Sequence, residues 1–327
     1  MTQLQVARAV SVDPLVYQQW ESGAKKVPKS LVADLARVLD LSEWQVEGRS
    51  EPYYLSGDHE DLPDESQYYG ELAIHFDSGL APLLLPITEA ERSKLHDAIQ
   101  SDEAFIQIES LDNRIVFVRR KAIADVYFSS KDYEDYGPGD YGGQHLGVYP
   151  TESFWKIVEF LDCPEVLGKE FSDEEIQAVS KEVILDDADL EELIANGSVK
   201  PEDRNKVREE ADRTTERYVS RSRNITWQLQ GNCSRYVLFF KNREVYKTFC
   251  LLPMASENEL LYLTPENYHR SIFIRLSALD FITIPAHKYH EGELDSLAED
   301  ANNTKAYMDA DEGEGEGEGE DEDDIEE

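Results

Sequence analysis

Few side chains in this sequence have the type and spacing that metal binding requires. His287 and His290 lie three residues apart and are followed by Glu291 and Glu293, so one helical turn could bring them to a metal ion. Only two such ligands converge there. We therefore interpret this segment as the polar end of a strand and predict no metal site.

The motifs of common enzyme classes are missing from the sequence. It contains no Walker loop, no Gly-x-Gly-x-x-Gly after a strand and no Gly-x-Ser-x-Gly. The three cysteines are widely spaced and form no Cys-x-x-Cys pair, which argues against a structural zinc or a disulfide scaffold and fits a reducing cytoplasm. The carboxylates are too numerous to single out a catalytic pair. We predict that the protein is not an enzyme and uses no cofactor.

The composition is strongly acidic. The 327 residues include 69 Asp and Glu against 32 Lys and Arg, a formal net charge of -37. Hydrophobic residues make up 40 %, so most of the chain should fold around a core. No apolar run approaches the roughly 18 residues of a membrane span, and the N-terminus lacks the shape of a signal peptide, so we expect a cytoplasmic protein with no membrane partner. Because phosphate binding needs an excess of basic residues, any contact with DNA must be local.

The negative charge is unevenly distributed along the chain. Six basic and six acidic residues cancel within residues 1–50. Residues 51–66 hold six carboxylates without Lys or Arg, together with two prolines and a glycine, and we interpret them as an acidic linker. Residues 309–327 hold thirteen carboxylates and a Gly-Glu alternation that cannot form a buried face. We predict that residues 301–327 form a disordered acidic tail.

Residues 2–46 have the spacing of short helices. A first helix from Gln3 is followed by a turn at Ser11-Val12-Asp13. Asp13 suits the N-cap of a second helix that begins at Pro14, places Tyr17 and Trp20 inward and ends before Gly23. A third helix opens at Pro28 and Ser30, and Ser42 caps a short fourth helix that carries Trp44. Two short helices joined by a tight turn and packed by a third form a helix-turn-helix arrangement.

The same segment carries a recognisable family pattern. It contains Trp20-Glu21-x-Gly23, a following Pro28, and the tail Leu35-Ala36-x-x-Leu39-x-Leu41-Ser42. With these residues, 2–46 resembles the Cro/C1, or XRE, DNA-binding domain of phage repressors, and the rest of the chain resembles nothing we recognise. The resemblance implies binding to double-stranded DNA, usually as a homodimer on two half-sites about one helical turn apart. The family has one more helix before the motif, so either the chain starts upstream or another part of the protein covers that face.

The resemblance also implies a set of DNA-binding residues. The second helix of the motif would enter the major groove and read base edges with Asp13, Pro14, Leu15, Gln18 and Gln19. Gln3 would hold a phosphate, and the backbone charge would be neutralised by Lys25, Lys26 and Lys29. Gln19 could bridge the two polar atoms of adenine's major-groove edge, and Leu15 could contact a thymine methyl. The alternative is a helical bundle used for protein contact.

Residues 67–135 and 225–300 share a pattern of short apolar runs. Phe117 and Arg119 recur as Phe273 and Arg275, 156 positions later, and the flanking apolar positions recur with them. In the first copy we predict a capping box at Thr88 to Glu91, a hairpin over 105–118 and a strand over 123–128. We expect two similar small β-rich modules, with an Sm-like or SH3-like barrel as one possibility. Alternatively, the apolar matches could come from two unrelated strands that bury similar faces.

Residues 136–224 are predicted to be a loop and helical insert, with helices over 151–161, after Ser172 and over 201–223. The last of these is rich in Arg with interleaved Glu, which favours a solvated face of i,i+4 pairs. Its end, Arg217 to Arg223, is the one place there for a second phosphate contact. The predicted fold class is α+β, with an N-terminal all-α helix-turn-helix domain over 1–50, the two modules flanking the insert, and the disordered tail.

These observations favour a cytoplasmic, sequence-specific DNA-binding transcriptional regulator whose β-rich modules mediate dimerisation or partner contact. Two other classes stay open. An acidic DNA mimic or inhibitor would occupy the basic groove of another protein, and an antitoxin would use its large C-terminal part to mask a toxin.

Overall fold

The computed structural model describes residues 1–21, 25, 27–39, 41, 46, 68–79, 81–131, 149–167, 170–231, 233–239, 241–265 and 270–313. The architecture is α+β, as predicted. The chain forms two compact units: unit 1 comprises Met1–Thr151, Trp227–Arg235 and Ser277–Ile282, and unit 2 comprises Glu152–Thr226, Tyr236–Leu276 and Thr283–Glu327. Within the described ranges, none of the helices combines the length and apolarity of a membrane span.

Three short helices form the N-terminal part of unit 1: α1 (Gln3–Ala9), α2 (Pro14–Glu21) and α3 (Lys29–Leu39). A capping box between Thr2 and Gln5 starts α1. The three helices enclose a small hydrophobic cluster built on Val6, Ala7, Val10, Tyr17, Trp20 and Leu35. The predicted stop at Gly23, the predicted fourth helix with Trp44 and the acidic linker 51–66 lie outside the described residues.

The first β-rich module follows in unit 1. Its elements are β1 (Tyr68–Phe76), β2 (Leu83–Thr88), α4 (Glu89–Ala98), β3 (Phe105–Ser110), β4 (Arg114–Arg119) and β5 (Ile123–Ser130). β1 pairs antiparallel with both β2 and β5, and β3 pairs with β4 in the predicted hairpin, with Ile106 opposite Val118. Leu72, Leu85, Leu95, Ile106 and Val116 are fully buried in one core, which closes α4 over the strands.

The predicted capping box at the start of α4 is half correct. The Thr88 hydroxyl accepts from the Glu91 N–H at 3.1 Å, as an N-cap does. The Glu91 carboxylate does not reach back to Thr88; it accepts from the backbone N–H of Glu109 in β3 at 2.9 Å. Burial raises the pKa of this carboxyl, against the opposing effects of the Glu109 N–H and of Lys94. The sequence pattern therefore predicted the N-cap at Thr88. It did not predict that the Glu91 carboxylate would bind the backbone of β3.

The helical insert in unit 2 contains α5 (Glu152–Glu159), α6 (Asp173–Val183), α7 (Asp187–Ala195) and α8 (Arg204–Arg223). The capping box at Ser172 and Glu175 is complete, as predicted, and α7 was not predicted. The arginines of α8 pair with other elements where the sequence suggested i,i+4 pairs: Arg204 with Glu191 at 2.7 Å, Arg208 with Asp187, and Arg223 with Asp162 at 2.7 Å. Ion pairs therefore link α8 to residues outside it. Arg223, one of the predicted phosphate contacts, takes part in one of these pairs.

The second module repeats the order of the first. Its elements are β6 (Asn224–Leu229), β7 (Cys233–Leu238), α9 (Asn242–Phe249), β8 (Leu260–Leu263), β9 (Ile272–Arg275) and β10 (Leu279–Pro285), followed by α10 (Ala286–Gly313). A short 3-10 helix joins β4 to β5 at Arg120–Ala122, and another joins β9 to β10 at Leu276–Ala278. The Ala122 carbonyl accepts from the N–H of Asp77 at 3.0 Å, and the Ala278 carbonyl accepts from Gln230 at 3.0 Å. The two modules thus share the order of their elements and the position of these short helices.

One detail of the predicted repeat is wrong. The constant offset of 156 positions sets Leu260–Leu263 against residues 104–107. In the structure Leu261 pairs with Ile274, as Ile106 pairs with Val118, so β8 corresponds to residues 105–108. The connection before β9 therefore differs in length from that before β4, and the offset between the copies changes by one residue across it.

The strands form three hydrogen-bonded groups. Their orders are β2-β1-β5, β3-β4-β10-β6-β7 and β8-β9. In the five-stranded group, β4 of the first module pairs with β10 of the second. The segment with His287, predicted as a polar strand end, is instead the first turn of α10 directly after β10. Residues 301–313 of the predicted disordered tail are instead the end of α10, and residues 314–327 lie outside the described residues.

Candidate nucleic-acid interface

The turn between α1 and α2 closes without a glycine. The N–H of Ser11 donates to the Arg8 carbonyl at 3.2 Å, and the N–H of Val12 donates to the Ala7 carbonyl at 2.9 Å. These two bonds form a Schellman motif, which requires a left-handed residue, and Ser11 has a φ of 57°. The tightness of this turn fixes the angle at which α2 leaves α1.

Asp13 and Pro14 start α2 as the sequence predicts. An Asp13 carboxylate oxygen accepts from the N–H of Leu15 at 2.8 Å, and Pro14 is the first helical residue. Asp13 was also predicted to read a base edge. Since its carboxylate is committed to the cap, its main effect here is to hold the first turn of α2 in place.

Two aromatic rings fasten the inner face of α2. Tyr17 and Trp20 are buried and meet edge to face with ring centroids 6.4 Å apart. They pack with Val6 of α1 and Leu35 of α3. The i,i+3 spacing of the two rings therefore sets which side of α2 is inside and which side is left outside.

The outer face of α2 carries the predicted base-reading residues. Pro14, Leu15, Gln18 and Gln19 are all exposed, and Leu15 is 68 % exposed, although it is a large apolar residue. Lys25 and Lys29 are exposed too, and Lys26 lies outside the described residues. The outer face therefore brings two amides, an apolar side chain and nearby ammonium groups to one side of the unit.

Gln3, predicted to hold a phosphate, already has a partner. Its side-chain amide donates to the carboxylate of Glu21 at the end of α2. Burial, followed by the neighbouring Glu21 carboxylate, raises the pKa of Tyr17 to about 12, so this phenol stays neutral at physiological pH. Glu21 was not among the predicted site residues, although the Trp-Glu-x-Gly pattern placed an acid at the end of α2.

The two histidines considered as metal ligands turn towards different carboxylates in unit 2. His287 Nε2 lies 2.9 Å from a Glu159 carboxylate oxygen, and Lys288 contacts the other oxygen of the same group. His290 Nδ1 lies 3.7 Å from a carboxylate oxygen of Glu152. Across the described ranges, no cluster of three His, Cys, Asp or Glu side chains could hold a metal ion.

Comparison of the chain with protein-family models, with curated proteins and with solved structures found no match in any of the three.

Proposed function

We propose that the protein is a sequence-specific DNA-binding transcriptional regulator that reads duplex DNA with α2, and that its β-rich modules mediate dimerisation or partner contact. The observation that carries the proposal is the two-sidedness of α2. Tyr17 and Trp20 lock one side into the helical cluster, and Leu15, Gln18 and Gln19 stand exposed on the other. A rigid helix with exposed amides can make bidentate hydrogen bonds to adenine edges, and an exposed Leu can pack on thymine methyls.

The distribution of charge supports the same proposal. The N-terminal fifty residues are neutral, and the rest of the chain carries the whole net charge of -37. An acidic body is repelled by phosphates, so non-specific binding is weak. A larger share of the affinity must then come from base contacts at α2. The protein should therefore discriminate well between DNA sequences even if it binds none of them very tightly.

A gel-shift experiment on genomic fragments tests the proposal. At low salt the full chain should retard a subset of fragments, and the Gln18→Ala/Gln19→Ala double variant should lose this specific shift, since each bidentate pair is worth about 1–3 kcal/mol of discrimination. Gln177→Ala, on the exposed face of α6, is the matched control and should leave the shift intact. Absence of any shift at low salt, with capture of a basic protein instead, would replace the regulator with an acidic inhibitor.

A further inference from the structure

The two modules share a sequence pattern and the order of their elements but differ in burial. Every residue of β4 is buried, and Phe117 is 0 % exposed. In β9, the counterpart of β4, only Ile274 is buried, and Phe273 is 64 % exposed. The same residue type at the same position of the repeat is thus covered in one module and open in the other.

The outer edge of β4 is paired with a strand of the other module. β4 is hydrogen-bonded to β3 on one edge and to β10 on the other. The Arg119 side chain crosses this junction, and its Nε donates to the Leu279 carbonyl of β10 at 2.5 Å. Arg119 is buried there, whereas its counterpart Arg275 is exposed at the end of β9.

The repeat predicts which strand fits on β9. β10 is the last strand of the second module, and its counterpart in the first module is β5. Among the described strands, β9 has β8 as its one hydrogen-bonded neighbour, and β5 has β1. β5 also exposes Ala124, Asp125 and Tyr127, while the counterpart strand β10 is buried along most of its length.

We propose that β9 and β5 are complementary halves of a head-to-tail interface through which copies of this chain associate. β5 of a second copy would lie on β9 as β10 lies on β4, and Arg275 would donate to the Ile123 carbonyl of that copy, as Arg119 donates to Leu279. Pairing also protects strand edges that would otherwise template aggregation. A strand paired with β9 would bring its side chains beside the exposed Phe273 as cross-strand neighbours.

The symmetry of such an assembly follows from its two different surfaces. An interface that joins unlike patches is heterologous, so it produces closed rings or open filaments, and each chain in it uses both edges. The inference rests on the part of the proposed function that assigns partner contact to the β-rich modules. The test of this inference contains no DNA. A failure of the proposed assembly can therefore be distinguished from a failure of the proposed DNA binding.

Light scattering coupled to size exclusion tests the proposal on the full chain. The wild type should elute as an assembly of several chains. Phe273→Asp, in β9, and Tyr127→Asp, in β5, should each lose the assembly and run as monomers with unchanged circular dichroism. Tyr236→Asp is the matched control, because Tyr236 is an equally exposed aromatic on the edge strand β7, and this variant should keep the assembly.

Mixing the two monomeric variants is the decisive step. Phe273→Asp keeps an unaltered β5, and Tyr127→Asp keeps an unaltered β9. The mixture should therefore form a dimer with one chain of each variant and no larger assembly. A wild type that stays monomeric at high concentration would overturn the proposal, since β9 would then be covered within its own chain or not at all. If both variants lose assembly and the mixture does not form a dimer, the proposal is also wrong, because that result indicates an interface between like surfaces. Loss of assembly in Tyr236→Asp would contradict it too.

Discussion

The side-chain amide of Gln3 donates to the carboxylate of Glu21, so the start of α1 is tied to the end of α2. The bond braces the two helices of the motif against each other. It also occupies one of the two N–H donors of the Gln3 amide and places a negative charge next to it. The Glu21 carboxylate therefore opposes the proposed contact between Gln3 and a phosphate.

Glu21→Gln should tighten DNA binding. The substitution removes the charge that repels phosphates and weakens the hold on Gln3, and we expect a gain of roughly fivefold, equivalent to about 1 kcal/mol. Fluorescence anisotropy with a fragment selected by gel shift measures it. Glu174→Gln, on exposed α6, changes the net charge equally and is the control. An equal gain in both variants would mean that only total charge matters.

Ser11→Gly should stabilise the helix-turn-helix unit. Ser11 has a φ of 57°, a conformation that costs a non-glycine residue roughly 1 kcal/mol. Hydrogen exchange of residues 3–21 in the full chain should slow by about twofold, since part of the gain is offset by the greater freedom of glycine in the unfolded chain. Ser30→Gly, in the ordinary helical backbone of α3, should speed exchange of that helix. Faster exchange of α1 and α2 in Ser11→Gly would show that the turn does not need this conformation.

Substitutions at Asp13 should separate capping from charge. Asp13→Ala loses the bond to the Leu15 N–H and should destabilise α2 by about 1 kcal/mol, which weakens DNA binding. Asp13→Asn keeps a capping oxygen and removes the charge, so α2 should stay stable and bind DNA at least as well. Hydrogen exchange of α2 and fragment binding are measured for both. If the two variants behave alike, capping is not the role of Asp13.

Sequence patterns predicted the local elements well and their partners poorly. Residues close in the chain determine the caps at Asp13 and Ser172 and the hairpin over β3 and β4, and the sequence predicted these elements. The partners of Gln3, Glu91 and Arg223 depend on which elements meet in space, and no spacing rule contains that information. His287 was misassigned for the same reason, because the polar residues after β10 begin a helix whose first turn is buried rather than solvated.

Acid should destabilise unit 2. Burial lowers the pKa of His287, with partial compensation by Glu159. Burial alone would raise the pKa of Glu159, but the hydrogen bond from His287 and the charge of Lys288 outweigh it and lower that pKa. Both shifts make the folded state less stable in acid. Below the ordinary pKa values of these two groups, the unfolded chain binds protons more readily than the folded chain does.

The stability of unit 2 should therefore fall as the pH drops below about 6.5, the ordinary value for histidine, and further through the carboxylate range. Urea unfolding followed by circular dichroism across this range measures the fall. His287→Gln should remove the dependence near pH 6.5 at some cost in stability, and the more exposed His290→Gln is the control that should retain it. A wild-type stability that is flat across the histidine range would contradict this account of the buried cluster.

The central claim is that the outer face of α2 reads base sequence. Selection of bound duplexes from a random DNA library by the full chain tests it most directly. We predict enrichment of a common sequence with two half-sites about one helical turn apart, and loss of that enrichment in the Gln18→Ala/Gln19→Ala variant. A library that stays random after repeated selection at low salt, with the wild-type protein folded, would contradict the claim.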